Sequence, residues 1–312
     1  MMPVGLMPPT PGLERIAVVG MFDGVHEGHR YLLRQLRLHA AERSLKPLVI
    51  TFANHPLSVI APERAPKLIY HTFEKAKAIR DEGFSGDEIL IMNFDRELRE
   101  TSAADFLAML RDRFGVRALL MGFNNRFGHD APSDFDEYKA LADKAGIVLI
   151  QARELPAEKG VCSSKIRSLI ADGDVTAAAE MLGRPFSMAG WVVKGKALGR
   201  TLGFPTANLS IPRGALIPAP GVYAARAESK DGTYPAMVNI GRRPTVDAPG
   251  APLSVEAHLI GLPEGTDLYN SQVTLYFIER LRSERRFATT EALRAQLSLD
   301  RDAALAVIST PR

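Results

Sequence analysis

Residues 16–30 read IAVVGMFDGVHEGHR. A short apolar run, Ile16–Val19, stops at a glycine, and a turn then carries two histidines into a helical pattern. The run is β-branched-rich and continuous, as in a strand buried on both faces of a parallel sheet. Gly20 and Gly24 let backbone approach a ligand closely. His26 and His29 fall on one face of a first helical turn. Amide N–H groups at such a helix start favour phosphate. Two imidazoles there could also donate to a triphosphate and to charge developing at its α-phosphorus, chemistry that needs positioning more than covalent help. A metal pair, or ordinary surface histidines, is the plainer alternative.

Working outward, similar apolar runs recur at Leu48–Phe52, Ile89–Met92, Ala118–Met121 and Ile147–Ile150, with helical patterns around 29–42, 72–82, 103–113 and 135–144. The third helix has a capping box, Ser102 before Asp105, and a stop at Gly115. Strand–helix alternation predicts an open parallel α/β sheet, with ligands at the carboxyl ends of its strands. After Arg184 the texture changes. Segments 186–194, 221–228, 233–240, 253–260 and 272–281 are β-rich, with Gly and Pro between them, and Asp231-Gly232 signals a hairpin. This half reads as a small antiparallel β-barrel covered by a charged helix from about Thr290. The expected domains are 1–184 and 185–312, joined by a tight hinge near 183–187.

Bulk properties exclude several function classes. The hydrophobic fraction of 46% and charged fraction of 24% are those of a globular protein with real cores. A net charge of +3, with acids interleaved among the bases, predicts no nucleic-acid partner. No apolar run approaches bilayer length. Met1–Glu14 reads as a loose leader, not a secretory signal. The single cysteine, Cys162, permits no intramolecular disulfide, fits a reducing cytoplasm and reads as a small buried residue. Oligomeric state has no signal.

Four segments of the first half carry a resemblance. FDGVHEGH (22–29) resembles the HxGH signature of nucleotidylyltransferases, in the form carried by bacterial bifunctional riboflavin kinase/FAD synthetases. TFANHP (51–56) is similar to that family's TFxPHP, with Asn54 in place of a proline. MGFNNRFGHD (121–130) resembles its GxDFxFG segment, with Asn125 replacing an aromatic. VCSSKIRSLI (161–170) resembles its SSTxIR segment, with Cys162 at the first serine position. Hydroxyls of Ser163 and Ser164 at a helix start, with Lys165 and Arg167, suit departing phosphates; a plain N-cap would use the same serines.

In the second half, GKALGRTLGFPTAN (195–208) has glycines at Gly195, Gly199 and Gly203, suggesting a phosphate-wrapping loop. Thr206 and Asn208 offer two neutral oxygens on one face of an extended segment, suited to a partly hydrated Mg²⁺. Alone, this stretch would read as a proline-initiated turn. GVYAARA, VNIGRRPTVD, VEAHLI and LYNSQVTLYFIERLRSERRF follow, and the succession resembles the riboflavin kinase domain. On VEAHL, Glu256 and His258 share one strand face, Val255 and Ala257 the other.

The resemblance implies a Rossmann-like nucleotidylyltransferase domain followed by a β-barrel kinase domain, two ATP-dependent steps and Mg²⁺. Riboflavin would become FMN with release of ADP, and FMN would become FAD with release of pyrophosphate. It implies Glu256 as general base, Thr206 and Asn208 as metal ligands, and His26 and His29 at the adenylyl-transfer site. Gly20, Phe22, Asp23, Gly24, Ser163, Ser164, Lys165 and Arg167 would bind ATP there, with Gly195, Gly199, Gly203 and Pro205 doing so in the kinase. Asn124, Arg126, Asn239, Arg282 and Phe287 would lie on the flavin side. One active half, a flavin binder without catalysis, and a nucleotidylyltransferase for another substrate stay open.

Overall fold

The computed structural model describes residues 12–122, 125–154, 160–195, 198–242 and 253–310. Met1–Pro11, Asn124 and Arg243–Thr245 of the RRPT loop therefore lie outside the described residues. The chain divides into two compact units, Met1–Cys162 and Ser163–Arg312.

In the first unit the strands are β1 (Arg15–Val19), β2 (Lys46–Phe52), β3 (Ile89–Met92), β4 (Val116–Met121) and β5 (Val148–Gln151). The helices are α1 (Glu27–Arg43), α2 (Leu57–Ile60), α3 (Thr72–Asp81), α4 (Arg96–Glu100), α5 (Ala103–Phe114) and α6 (Phe135–Lys144). All ladders are parallel, in the order β3-β2-β1-β4-β5. The first three strands step outward one way, and the chain then returns to the other side of β1. The strand order therefore reverses between β1 and β4, which is where such sheets bind ligands. Both faces of β1 are buried, because helices cover a sheet of Ile, Val and Leu on each side. Helix α5 is punctuated as the sequence predicts: Ser102 Oγ accepts from Asp105 N at 3.0 Å, and Gly115 caps the far end at φ 66°.

The second unit opens with helices α7 (Ser163–Asp172) and α8 (Val175–Leu182), which the periodicity reading did not separate from the first half. Helix α8 packs on the barrel that follows, burying Val175, Ala178 and Leu182. The barrel strands are β6 (Phe186–Val193), β7 (Ala207–Ser210), β8 (Gly221–Ser229), β9 (Gly232–Arg242), β10 (Leu253–Leu259) and β11 (Gln272–Arg282), with a short α9 (Leu198–Thr201) before β7. They close in the order β10-β7-β6-β11-β8-β9. Strand β7 is the one that the sequence segments omitted, and it joins β6 to β10. Ser229 pairs with Gly232, so the hairpin turn is Lys230-Asp231. Phe186, Leu275, Phe277, Ala257 and Val238 fill the interior. Helix α10 (Thr290–Ser309) lies on the outer face of β8 and β9, where Leu293, Leu297 and Ala304 meet Val222, Ala224 and Met237. Among the described residues, no helix is long and apolar enough to cross a membrane.

Candidate active sites

The turn after β1 holds the first site. Gly24 has φ 84°, but Phe22 and Val25 also take left-handed backbone, at φ 46° and 43°. For a β-branched residue that is an outlier, worth on the order of 1–3 kcal/mol of strain. Burial holds it: Phe22 is 1% exposed and Val25 0%. Asp23 points inward, its carboxylate accepting from Ile69 N (3.2 Å) and Tyr70 N (3.1 Å). The turn is thus pinned by two apolar side chains and one carboxylate. Gly20 N donates to Ile50 O at 3.0 Å, and a Cβ on Gly20 would press on the Phe22 ring.

That strained turn delivers the two imidazoles. His26 occupies the N-cap of α1 in extended backbone, and the rings of His26 and His29 stack with centroids 3.8 Å apart. The Phe22 ring meets His29 edge-on at 5.3 Å. Burial, then the positive fields of His26 and Lys75, hold His29 well below the usual imidazole range. It is therefore neutral at pH 7, with one ring nitrogen left to accept.

Lys75 is a site residue that the sequence reading missed. It is 0% exposed, its ammonium donates to Phe52 O at 2.6 Å, and burial brings its pKa down to about 8 against the attraction of Asp23. A signal existed: on a helical pattern Lys75 shares its face with the apolar Ala78 and Ile79, an odd place for a lysine. His71, also missed, is held below the ordinary imidazole range, first by burial and then by Lys75, against Glu74 and Asp23.

The family departures have local duties. Asn54 Nδ2 donates to Phe94 O at 2.8 Å while its Oδ1 accepts from Phe94 N at 2.9 Å, tying the segments after β2 and β3 together. Asn125 Nδ2 donates to Val19 O, bridging the ends of β1 and β4 at the strand-order reversal. Arg126 is exposed, and Phe127 packs at a tilt against Phe106 and Tyr138. Cys162 is exposed, against the expectation of burial, because it directly precedes α7. Ser163, Ser164, Lys165 and Arg167 lie in the first turns of α7, within the second unit, with Ile166 and Ile170 on that helix's buried face.

The barrel holds the second site. Glu256 pairs with Asn208 on one side and with Asn239 on the other. Residues directly opposite in a ladder share a face, so Asn208, Glu256 and Asn239 form one row across three strands. Asn239 in turn faces Val222, and Val222 faces Arg282. Val255 and Ala257 point the other way, into the core. The row lies on the outer face of the barrel, the face that α10 covers over β8 and β9.

Loops frame this row. A Cβ on Gly195 would collide with the Asn208 amide, and one on Gly199 with Phe204 O, so both positions let the loop lie close. His258 Nδ1 donates to Pro205 O at 2.8 Å, which fixes the residue before Thr206. Thr206 edges a cleft of about 750 Å³ that Gly203, Pro205, His258 and the 261–269 loop also line. Arg282 reaches the C-terminal helix and lies 5.8 Å from the Phe287 ring. Neutral oxygens from Thr206 and Asn208 beside the Glu256 carboxylate fit a hard, partly hydrated cation such as Mg²⁺. Among the described residues no three His, Cys, Asp or Glu side chains gather as a metal cage.

Comparisons with known proteins match the chain in two parts. A family model described as FAD synthetase matches residues 12–166, and one described as riboflavin kinase matches 182–308. The bifunctional riboflavin kinase/FMN adenylyltransferase of Pseudomonas fluorescens is 36% identical over 294 residues, 94% of this chain and 92% of the relative. The Escherichia coli (strain K12) protein of that name is 35% identical over 292 residues, covering 91% and 90%. That of Bacillus subtilis (strain 168) is 30% identical over 310 residues, covering 96% and 94%. A crystal structure described as a macrolide-efflux protein from Streptococcus pneumoniae superposes with a TM-score of 0.80 at 29% identity, covering 96% of this chain and 95% of that one.

Proposed function

The chain belongs to the bifunctional riboflavin kinase/FMN adenylyltransferase family, and from that premise we propose how its residues divide the two reactions it carries out. It phosphorylates riboflavin with ATP to FMN and adenylylates FMN with ATP to FAD. Both family models, and relatives matched over at least 90% of their own length, name flavin nucleotide synthesis over the residues that superpose on the Streptococcus structure described as an efflux protein.

In the barrel, Glu256 takes the proton of the riboflavin 5′-hydroxyl as that oxygen attacks the γ-phosphorus; the β–γ phosphoanhydride bond breaks and ADP leaves. Thr206 and Asn208 would hold Mg²⁺, which would neutralise the ATP phosphates. The loop of Gly195, Gly199, Gly203 and Pro205 lies along those phosphates, and the cleft beyond Thr206 takes the rest of the nucleotide. Asn239, Arg282 and Phe287 face the flavin. The row Asn208–Glu256–Asn239 supports this reading, because the ladder sets the Glu256 carboxylate directly beside the Asn208 amide.

In the first unit, a phosphate oxygen of FMN attacks the α-phosphorus of a second ATP and pyrophosphate leaves. His26, His29 and the α1 amides stabilise the developing charge, and the turn of Gly20, Phe22, Asp23 and Gly24 shapes the approach. By resemblance, Ser163, Ser164, Lys165 and Arg167 at the start of α7 are assigned to the departing phosphates, and Asn124 and Arg126 to the flavin side. The functional boundary falls at 184/185, and the reactions proceed in the cytoplasm. Chromatography of products after incubation with riboflavin, Mg²⁺ and ATP tests the whole. FMN followed by FAD is expected. FMN alone would refute the role of the first unit, and no nucleotide product would refute both.

A further inference from the structure

Asp300 sits on the fourth turn of α10 and is 3% exposed. Its carboxylate grips Arg282 from two directions: Arg282 Nε lies 2.9 Å from Oδ1 and 3.1 Å from Oδ2, and Nη2 lies 2.7 Å from Oδ2. Gln296 Nε2, one turn earlier, donates to Oδ1 at 2.6 Å. Arg282 Nη1 donates to Ser283 O at 3.0 Å, completing a fixed guanidinium plane. That plane ends the row that runs through Val222 and Asn239 to Glu256. Just beyond it, Glu284 packs over Gly241, two residues from Asn239 and on the same strand face.

We propose that Asp300 is a positioning residue for the kinase reaction, setting through Arg282 the flavin end of the site. The inference deepens the reading of Arg282 as a flavin contact and rests on it. Docking of α10 does not need the ion pair, because Leu293, Leu297, Ala304, Val307 and Ile308 already bury an apolar stripe against the barrel. Removing two charges from water gains little net stability. What the pair supplies is direction. An arginine at a strand end has several free torsions, and a buried two-point carboxylate leaves it one orientation.

The test uses the full chain carrying Asp300→Asn, Arg282→Gln, or both. Steady-state kinetics of FMN formation give KM for riboflavin and for ATP, and thermal unfolding reports the barrel. Asp300→Asn is expected to raise the riboflavin KM about tenfold and leave the ATP KM within about twofold. The double variant should be no worse than Arg282→Gln alone, as coupled residues behave. A raised riboflavin KM in Arg282→Gln with a native one in Asp300→Asn overturns the inference and spares the role of Arg282. A native riboflavin KM in Arg282→Gln overturns that role, and the inference with it. Equal rises in both KM values with a lowered melting temperature reduce Asp300 to a structural residue and also overturn the proposal. Should Asp300→Asn not fold, Gln296→Leu removes one bond to the same carboxylate, and its riboflavin KM must rise about two- to threefold; no rise overturns the inference.

Discussion

Glu256 stands directly opposite Asn208 in the β7–β10 ladder. The backbone therefore sets a carboxylate beside a neutral amide oxygen without help from a flexible loop. That pairing gives the first prediction. Glu256→Gln keeps the shape of the row and removes its carboxylate, so with Glu256 as the proposed base the rate of FMN formation falls on the order of 10²–10⁴-fold. FAD formation from supplied FMN stays native. Separate assays of the two steps check this, and equal loss of both would sink the assignment.

Gly195 lies against the other side of Asn208. A methyl group there would collide with the buried Asn208 side chain from Cγ outward, so Gly195→Ala forces the amide out of the row or the loop away from it. The Mg²⁺ concentration for half-maximal kinase rate should rise on the order of tenfold. A titration that matches the native curve excludes Asn208 as a ligand.

In the first unit, His29→Ala removes one of the two stacked rings. FAD formation should slow on the order of 10²–10³-fold while FMN formation is untouched. Because His29 is held well below the usual imidazole range, chiefly by burial, the native enzyme should show no His29 inflection near pH 6.5 in its FAD-forming rate. A native rate in the variant counts against the site.

Lys75 predicts a pH dependence of stability. Its folded pKa of about 8 lies below the ordinary 10.5. Between those values the unfolded chain binds more protons, so unfolding free energy rises with pH across that window. Below about 8 both states are protonated and the cost of burying the charge is fully present. The stability difference between native protein and Lys75→Met should therefore grow in favour of the native protein by roughly 3 kcal/mol from pH 8 to 10.5. Denaturant unfolding at several pH values measures it, and a constant difference rules the shift out.

Much of this architecture was legible in the sequence because its signals are local. The β-branched runs marked the parallel strands, Ser102 and Gly115 bounded α5, and the alternation in VEAHL set the face of Glu256. What escaped is what distance in sequence decides. Strand β7 is four residues long and gains its identity only from pairing with β6 and β10. Helices α7 and α8 lie next to the first unit in sequence yet pack in the second. Asp300, in a run reading SLDRD, looks like a solvated helix face until Arg282 is found against it. Asn54 and Asn125 read as departures from a pattern, and only the fold shows the backbone groups they serve.

Closure of the barrel also sets an order in time. Glu256 has neighbours from β9, close in the chain, and from β7, which is far away. The near ladder can zip early, but the distant one must wait for a large loop to close, and loop closure is the slow step in such topologies. Glu256 and Asn208 meet only at that moment. An emerging or refolding chain thus cannot bring Asn208 and Glu256 together until that distant seam is sewn.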